Sequence, residues 1–130
     1  MPQNTYRLEV EHVFSAAHAL SIAGAREPLH GHDWRVTATI AGDTLDDDGL
    51  LADFHSVHGF LAEICEPFNN NTLNDVAPFD ETNPSAENVA EYIAAELAGQ
   101  LEEIAEHCRV AAVRVTEAPG CAASYFPPTG

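Results

Sequence analysis

HGHDWRVTATI, His30 to Ile40, is the stretch that decides the fold. Trp34, Val36, Ala38 and Ile40 alternate with polar or small residues, the period of a half-buried strand. The same alternation occurs earlier, at Tyr6, Leu8, Val10 and Phe14, broken only by His12. Two strands separated by the segment Ala19 to Leu29 form a hairpin, so the end of the first lies beside the start of the second.

Downstream, DTLDDDG (Asp43 to Gly49) is a polar turn. Val57, Phe60, Leu61 and Ile64 follow a helical spacing that ends near Pro67. EPFNNNTLNDVAPFDETNP is too rich in Asn, Asp and Pro for regular structure, and reads as a long ordered loop of the kind that carries function. A second helix opens at Pro84 and Ser85, with Glu87 in its first turn and Val89, Ile93, Leu97, Leu101 and Ile104 as its buried stripe. Val113 and Val115 mark a third strand, which APG (Ala118 to Gly120) turns into a fourth ending near Tyr125. The order ββααββ predicts an α+β fold with an antiparallel sheet covered on one side by helices.

Bulk properties bound the function. At 130 residues the chain is read as one domain, residues 1–130, large enough for one core. No apolar run approaches the roughly 18 residues of a membrane span, and MPQNTYRLEV has no leader-like basic or apolar stretch. A cytoplasmic protein is therefore expected. Cys65, Cys108 and Cys121 are odd in number and lack CxxC spacing, so they are read as reduced, buried thiols. Five bases, all arginine, oppose 21 acids, for a net charge of -16. That surface repels nucleic acid and anionic membranes, and neither is expected as a partner. A salty cytoplasm that screens the charge and ordinary acidic solubility both account for it.

His30 and His32 are two apart and, in extended chain, share a face. The hairpin brings His18 into range. Three imidazoles around one ion match an open catalytic zinc site, whose fourth position is left for water or substrate. The alternative reading is that His18 and His30 are ordinary polar residues at strand ends; His12, His55, His58 and His107 lack the convergence.

FSAAHAL (Phe14 to Leu20), LHGHDWRV (Leu29 to Val36), LLADF (Leu50 to Phe54), LND (Leu73 to Asp75), NPSAENVAEYI (Asn83 to Ile93) and VTEAPGCAASY (Val115 to Tyr125) follow one another in the chain. In that order they resemble the landmarks of the 6-pyruvoyl-tetrahydropterin synthase family, which includes the 6-carboxy-tetrahydropterin synthases of deazapurine biosynthesis. The resemblance implies the tunnelling fold, or T-fold: a four-stranded antiparallel sheet with two helices, assembled into trimers or hexamers with sites at subunit interfaces. It implies that His18, His30 and His32 hold Zn2+, and that Glu117 anchors the guanidine-like edge of a pterin. Glu87 also matches a family position, which its place at a helix start explains through the helix dipole.

The departures bear on mechanism. Many members carry a proton-accepting cysteine four residues before the first histidine of HGH, where this chain has Arg26. Many have an Asp-His relay before LN, where this chain has Asn69 and Asn70, neither able to shuttle a proton. Glu27 is the candidate replacement base, as in a family branch with a glutamate before LHGH; the alternative is a solvated loop acid. Arg26 and Asn70 are candidates for substrate contact, Arg26 for a phosphate. The expected activity is a zinc-dependent lyase acting on 7,8-dihydroneopterin triphosphate and forming 6-carboxy-5,6,7,8-tetrahydropterin. The 6-hydroxymethyl and 6-pyruvoyl products, and an inactive zinc- and pterin-binding protein, are the alternatives.

Overall fold

The computed structural model describes residues 5–128. The reading of the N-terminus as leaderless falls partly on residues 1–4, outside the described residues. Strand β1 (Tyr6–His18) and strand β4 (His30–Gly42) are 13 residues each and pair antiparallel along their whole length, from Tyr6↔Gly42 to His18↔His30. Between them Ser21–Ile22 (β2) and Ala25–Arg26 (β3) form a small hairpin of their own. Its two-residue turn, Ala23 and Gly24, has positive φ at both positions (52° and 81°), the twist that tight hairpins favour.

Helix α1 (Phe54–Cys65) follows, capped by Asp53, whose side chain accepts from the His55 N–H. Helix α2 (Ala86–Leu101) starts at Ser85, whose hydroxyl accepts from the Asn88 N–H at 3.1 Å. Both caps satisfy first-turn donors that have no partner within the helix. Strands β6 (Cys108–Ala118) and β7 (Cys121–Tyr125) complete the chain.

The long loop contains more order than its composition suggests. Glu66–Phe68 and Leu73–Asp75 are single turns of 3-10 helix, and between them Asn71–Thr72 (β5) pairs parallel with Ala16 and Ala17 of β1. The sheet is thus five-stranded, in the order β5-β1-β4-β6-β7, and mixed. This corrects the expected four strands: the four antiparallel ones stand in the predicted order, and a two-residue parallel edge is added. A pairing this short leaves no period to read.

One face of the sheet is the core. Phe14, Trp34, Val36, Ala38, Ile40, Val113 and Val115 are at most 1% exposed, and α1 and α2 close over them. Val57, Leu61 and Ile64 of α1, and Val89, Ile93, Leu97 and Leu101 of α2, supply the opposite layer. Ile104 is the exception in the predicted stripe, 48% exposed. Helix α2 stops at Leu101, whose carbonyl accepts from both Ile104 and Ala105 N–H groups, so Ile104 leaves the helical face and Ala105 is buried in its place.

Of the cysteines, Cys65 is buried, Cys108 half-buried and Cys121 exposed, so only the first fully matches its expected role. Burial pushes the Cys65 thiol up to about 12. Among the described residues no helix is long and apolar enough to cross a membrane.

Candidate metal and substrate site

Register places three imidazoles together. His18 pairs with His30 across the β1–β4 ladder, and His32 lies two residues further along β4. The ring centroids are 4.6 Å (His18–His30), 5.5 Å (His18–His32) and 4.7 Å (His30–His32) apart. His18 is completely buried against Trp34, and the Trp34 indole N–H donates to the Ala16 carbonyl at 3.1 Å.

The outer nitrogens fix the inner ones. His18 Nδ1 lies 2.8 Å from the Pro84 carbonyl and His30 Nδ1 lies 3.0 Å from the Pro28 carbonyl. A carbonyl only accepts, so each Nδ1 carries a proton and the neutral ring presents a lone pair at Nε2. Backbone carbonyls orienting histidines in this way are the usual support of a metal ligand.

Glu117, near the end of β6, enters this cluster. Its Oε1 is 2.5 Å from His18 Nε2, 3.5 Å from His32 Nε2 and 3.8 Å from His30 Nε2. Yet His18 Nε2 and His32 Nε2 are buried without a hydrogen-bond partner. With His18 neutral and its proton on Nδ1, the 2.5 Å approach sets a lone pair against a carboxylate oxygen, a repulsion that a cation bound by both atoms would relieve. His18, His30, His32 and Glu117 offer one donor atom each, all within 4.8 Å of one another. Three nitrogens and one oxygen suit a borderline-soft divalent ion such as Zn2+. Burial is the largest influence on His32 and lowers its pKa, in the direction that keeps it neutral for ligation.

Glu27 is held at the rim. Its Oε1 accepts from the Leu20 N–H at 3.0 Å, its own N–H donates to the Leu20 carbonyl at 2.9 Å, and Oε1 stands 3.7 Å from His30 Nε2. Arg26, the preceding residue on β3, is exposed. Asn70, also exposed, borders an open depression of about 730 Å³ together with His32, Asp33, Asn71 and Asp75. Its backbone adopts φ 62° and its N–H donates to the Ser15 carbonyl at 2.6 Å. On its other side His32 borders a second depression of about 460 Å³, shared with Arg35, Thr116 and Glu117. The structure therefore gathers His18, His30, His32, Glu117 and Glu27, places Asn70 at the mouth, and leaves Arg26 on the hairpin outside both depressions.

Asparagine clamps were not evident from sequence. Asn74 bonds both the N–H and the carbonyl of Ala19, each at 2.9 Å. Asn83 does the same to Ser21, at 2.9 and 3.0 Å. Asn69 Oδ1 accepts from the Ser15 N–H at 3.0 Å. These amides stand in for a neighbouring strand and fix the chain on both sides of His18; the available signal was the density of Asn in the loop.

The chain is similar to known proteins in sequence and in fold. Residues 7–128 match the model of the family described as 6-pyruvoyl tetrahydropterin synthase. The chain is similar to the 6-carboxy-5,6,7,8-tetrahydropterin synthase of Bacillus subtilis, 31% identical over 97% of this chain and 88% of that protein. The solved structure of Caenorhabditis elegans 6-pyruvoyl tetrahydropterin synthase is similar in fold, with TM-score 0.75, 20% identity, and coverage of 97% of this chain and 99% of that one. A Plasmodium vivax 6-pyruvoyltetrahydropterin synthase, described as a catalytic-residue mutant with a glutamate replaced by alanine, has TM-score 0.76 at 20% identity, covering 95% and 98% of the two chains.

Proposed function

Because the chain belongs to the 6-pyruvoyl tetrahydropterin synthase family, we propose that it is a zinc-dependent lyase that converts 7,8-dihydroneopterin triphosphate to 6-carboxy-5,6,7,8-tetrahydropterin, a step toward deazapurines. The observation that carries the product assignment is the likeness to the Bacillus subtilis synthase across 97% of this chain. The convergent His18, His30, His32 and Glu117 donors support the metal.

His18, His30 and His32 would hold the Zn2+. When bound, the ion supplies a Lewis acid that polarises a substrate oxygen and acidifies adjacent C–H bonds. Glu27 accepts the released proton. The Leu20 N–H holds one of its oxygens, which leaves the other free to act, and a general base within hydrogen-bond reach contributes about 10²–10⁴ in rate. The description of a catalytic glutamate in the Plasmodium vivax protein supports a glutamate in this role.

Glu117 accepts two parallel N–H bonds from the pterin's guanidine-like edge. The same carboxylate lies against the imidazoles, so substrate and metal compete for it. Asn70 contacts the substrate at the mouth, and Arg26 contacts its phosphates. Trimers or hexamers with sites at their interfaces fit a sheet whose last strand, β7, has an unpaired edge among the described residues, and light scattering checks the mass.

Incubation of the zinc-loaded protein with dihydroneopterin triphosphate, followed by mass analysis, should give the 6-carboxy product. A hydroxymethyl or pyruvoyl product would reassign the branch, and none would leave a binding protein. Glu27→Gln should lower turnover by about 100-fold or more while zinc and pterin stay bound. An unchanged rate removes Glu27 from the mechanism.

A further inference from the structure

The chain has five bases, and three of them, Arg7, Arg109 and Arg114, border one depression of about 400 Å³ on the sheet face turned away from the helices. Strand register explains the gathering. Arg7 of β1 and Arg109 of β6 both pair with Ala41 of β4, one from each side, so the two arginines flank a methyl group in one row. Arg114 pairs with Thr37 on one side and Ser124 on the other. From Ala41 to Thr37 is four residues of strand, about 13 Å at roughly 3.3 Å each.

Among the described residues these arginines have no ion-pair partner, and Arg114 donates only to the Thr116 hydroxyl, at 3.5 Å. Among the described residues the single arginine–carboxylate pair is Arg35–Glu11, at 3.1 Å. Among the described residues Glu9 is the one acid that borders the depression, and Thr37, Thr39 and Ser124 add hydroxyls to it, that of Thr37 donating to Glu11 Oε2 at 3.4 Å. In a chain with 21 acids, unpaired guanidinium groups placed together repel one another unless an anion joins them. Along β1, Arg7 is 11 residues from His18, about 36 Å of strand, whereas Arg114 is three residues from Glu117 on β6, about 10 Å; the depression shares no lining residue with the two that His32 borders.

We propose that Arg7, Arg109 and Arg114 form a binding site for an oligophosphate anion. Guanidinium forks match phosphoryl oxygens in bidentate fashion. Two rows about 13 Å apart call for a ligand with more than one phosphoryl group, since flexible arginines converging from both rows reach an extended chain better than a single ion. The Thr39 and Ser124 hydroxyls donate to its remaining oxygens.

Isothermal titration of the full chain with sodium tripolyphosphate at low salt tests the site, with orthophosphate and citrate as comparisons. Tripolyphosphate should bind, and both others at least about tenfold more weakly. Arg7→Gln/Arg114→Gln, at two exposed positions, should weaken tripolyphosphate by about tenfold or more, a loss that corresponds to about 1.4 kcal/mol, with an unchanged circular dichroism spectrum. Arg109→Gln, made separately, should do likewise, and His30→Ala should bind as the parent does. No binding, equal binding by the double variant, or loss of binding in His30→Ala would overturn the site, and citrate binding as tightly would overturn the oligophosphate assignment.

Discussion

His18 is the buried polar side chain on which the candidate site turns, and its two nitrogens have separate duties. Nδ1 donates to the Pro84 carbonyl just ahead of α2, and Nε2 faces Glu117. His18→Ala should therefore lose the metal and also cost the metal-free protein about 1–3 kcal/mol, because it leaves a buried carbonyl unpaired. His30, 38% exposed, should lose metal on substitution by alanine with little effect on the metal-free fold. Metal analysis together with urea unfolding after chelation distinguishes the two, and equal stability losses would contradict the argument. His12 supplies a pH prediction. Burial, and then His58, lower its pKa from 6.5 against an opposing pull from Glu66. The unfolded chain thus takes up a proton first, so stability should fall as pH drops from 6.5 through the lowered folded value. His12→Gln should flatten that part of the urea midpoint–pH curve, and an unaltered slope would remove His12 as its source. The triad was legible because period and hairpin fix the positions of its members. Glu117 lying among the imidazoles was not, since that depends on how β6 pairs with β4, Arg35 against Thr116.

At the scale of elements, the long strands and both helices were legible because each buries a face whose period repeats several times. The edge strand β5 and the β2–β3 hairpin have two residues per strand, too few for any period, and side-chain amides from Asn69, Asn74 and Asn83 give the segments around them their order. The last residue of β4 shows a constraint of another kind. A Cβ on Gly42 would lie 2.7 Å from the His107 carbonyl oxygen and 2.7 Å from Leu51 Cδ1. The leucine tip can rotate away, but the carbonyl belongs to the chain entering β6. Gly42→Ala should therefore destabilise by about 1–3 kcal/mol, the range for overpacking. Gly59→Ala, on a helix with nothing within 4 Å of the added carbon, should stabilise by up to about 1 kcal/mol through helix propensity. Urea unfolding of the pair checks both signs, and a neutral Gly42→Ala would mean that the β4–β6 junction yields more readily than its packing indicates.

For the whole molecule the governing quantity is a net charge of -16 on 130 residues. Folding concentrates that charge on one surface while the unfolded chain disperses it, so self-repulsion lowers stability and salt should restore it. Local pairing offsets little, with one arginine–carboxylate pair at 3.1 Å among the described residues, and exposed pairs contribute about 0–1 kcal/mol. The screening length shrinks from about 10 Å at 0.1 M to about 3 Å at 1 M salt. The melting temperature should consequently climb steeply in sodium chloride up to a few tenths molar and then more slowly, since nearest neighbours are the last to be screened. The same repulsion would oppose the approach of the triphosphate substrate proposed above, so its association should quicken with salt over the same range, against the usual trend for a charged ligand steered to an oppositely charged site. Stopped-flow binding and thermal melts across one salt series test both together. A melting temperature that does not respond, with association that slows as salt is added, would mean that a local positive field, such as that of Arg26 and Arg35, governs encounter, and that the acidic surface carries no stability cost.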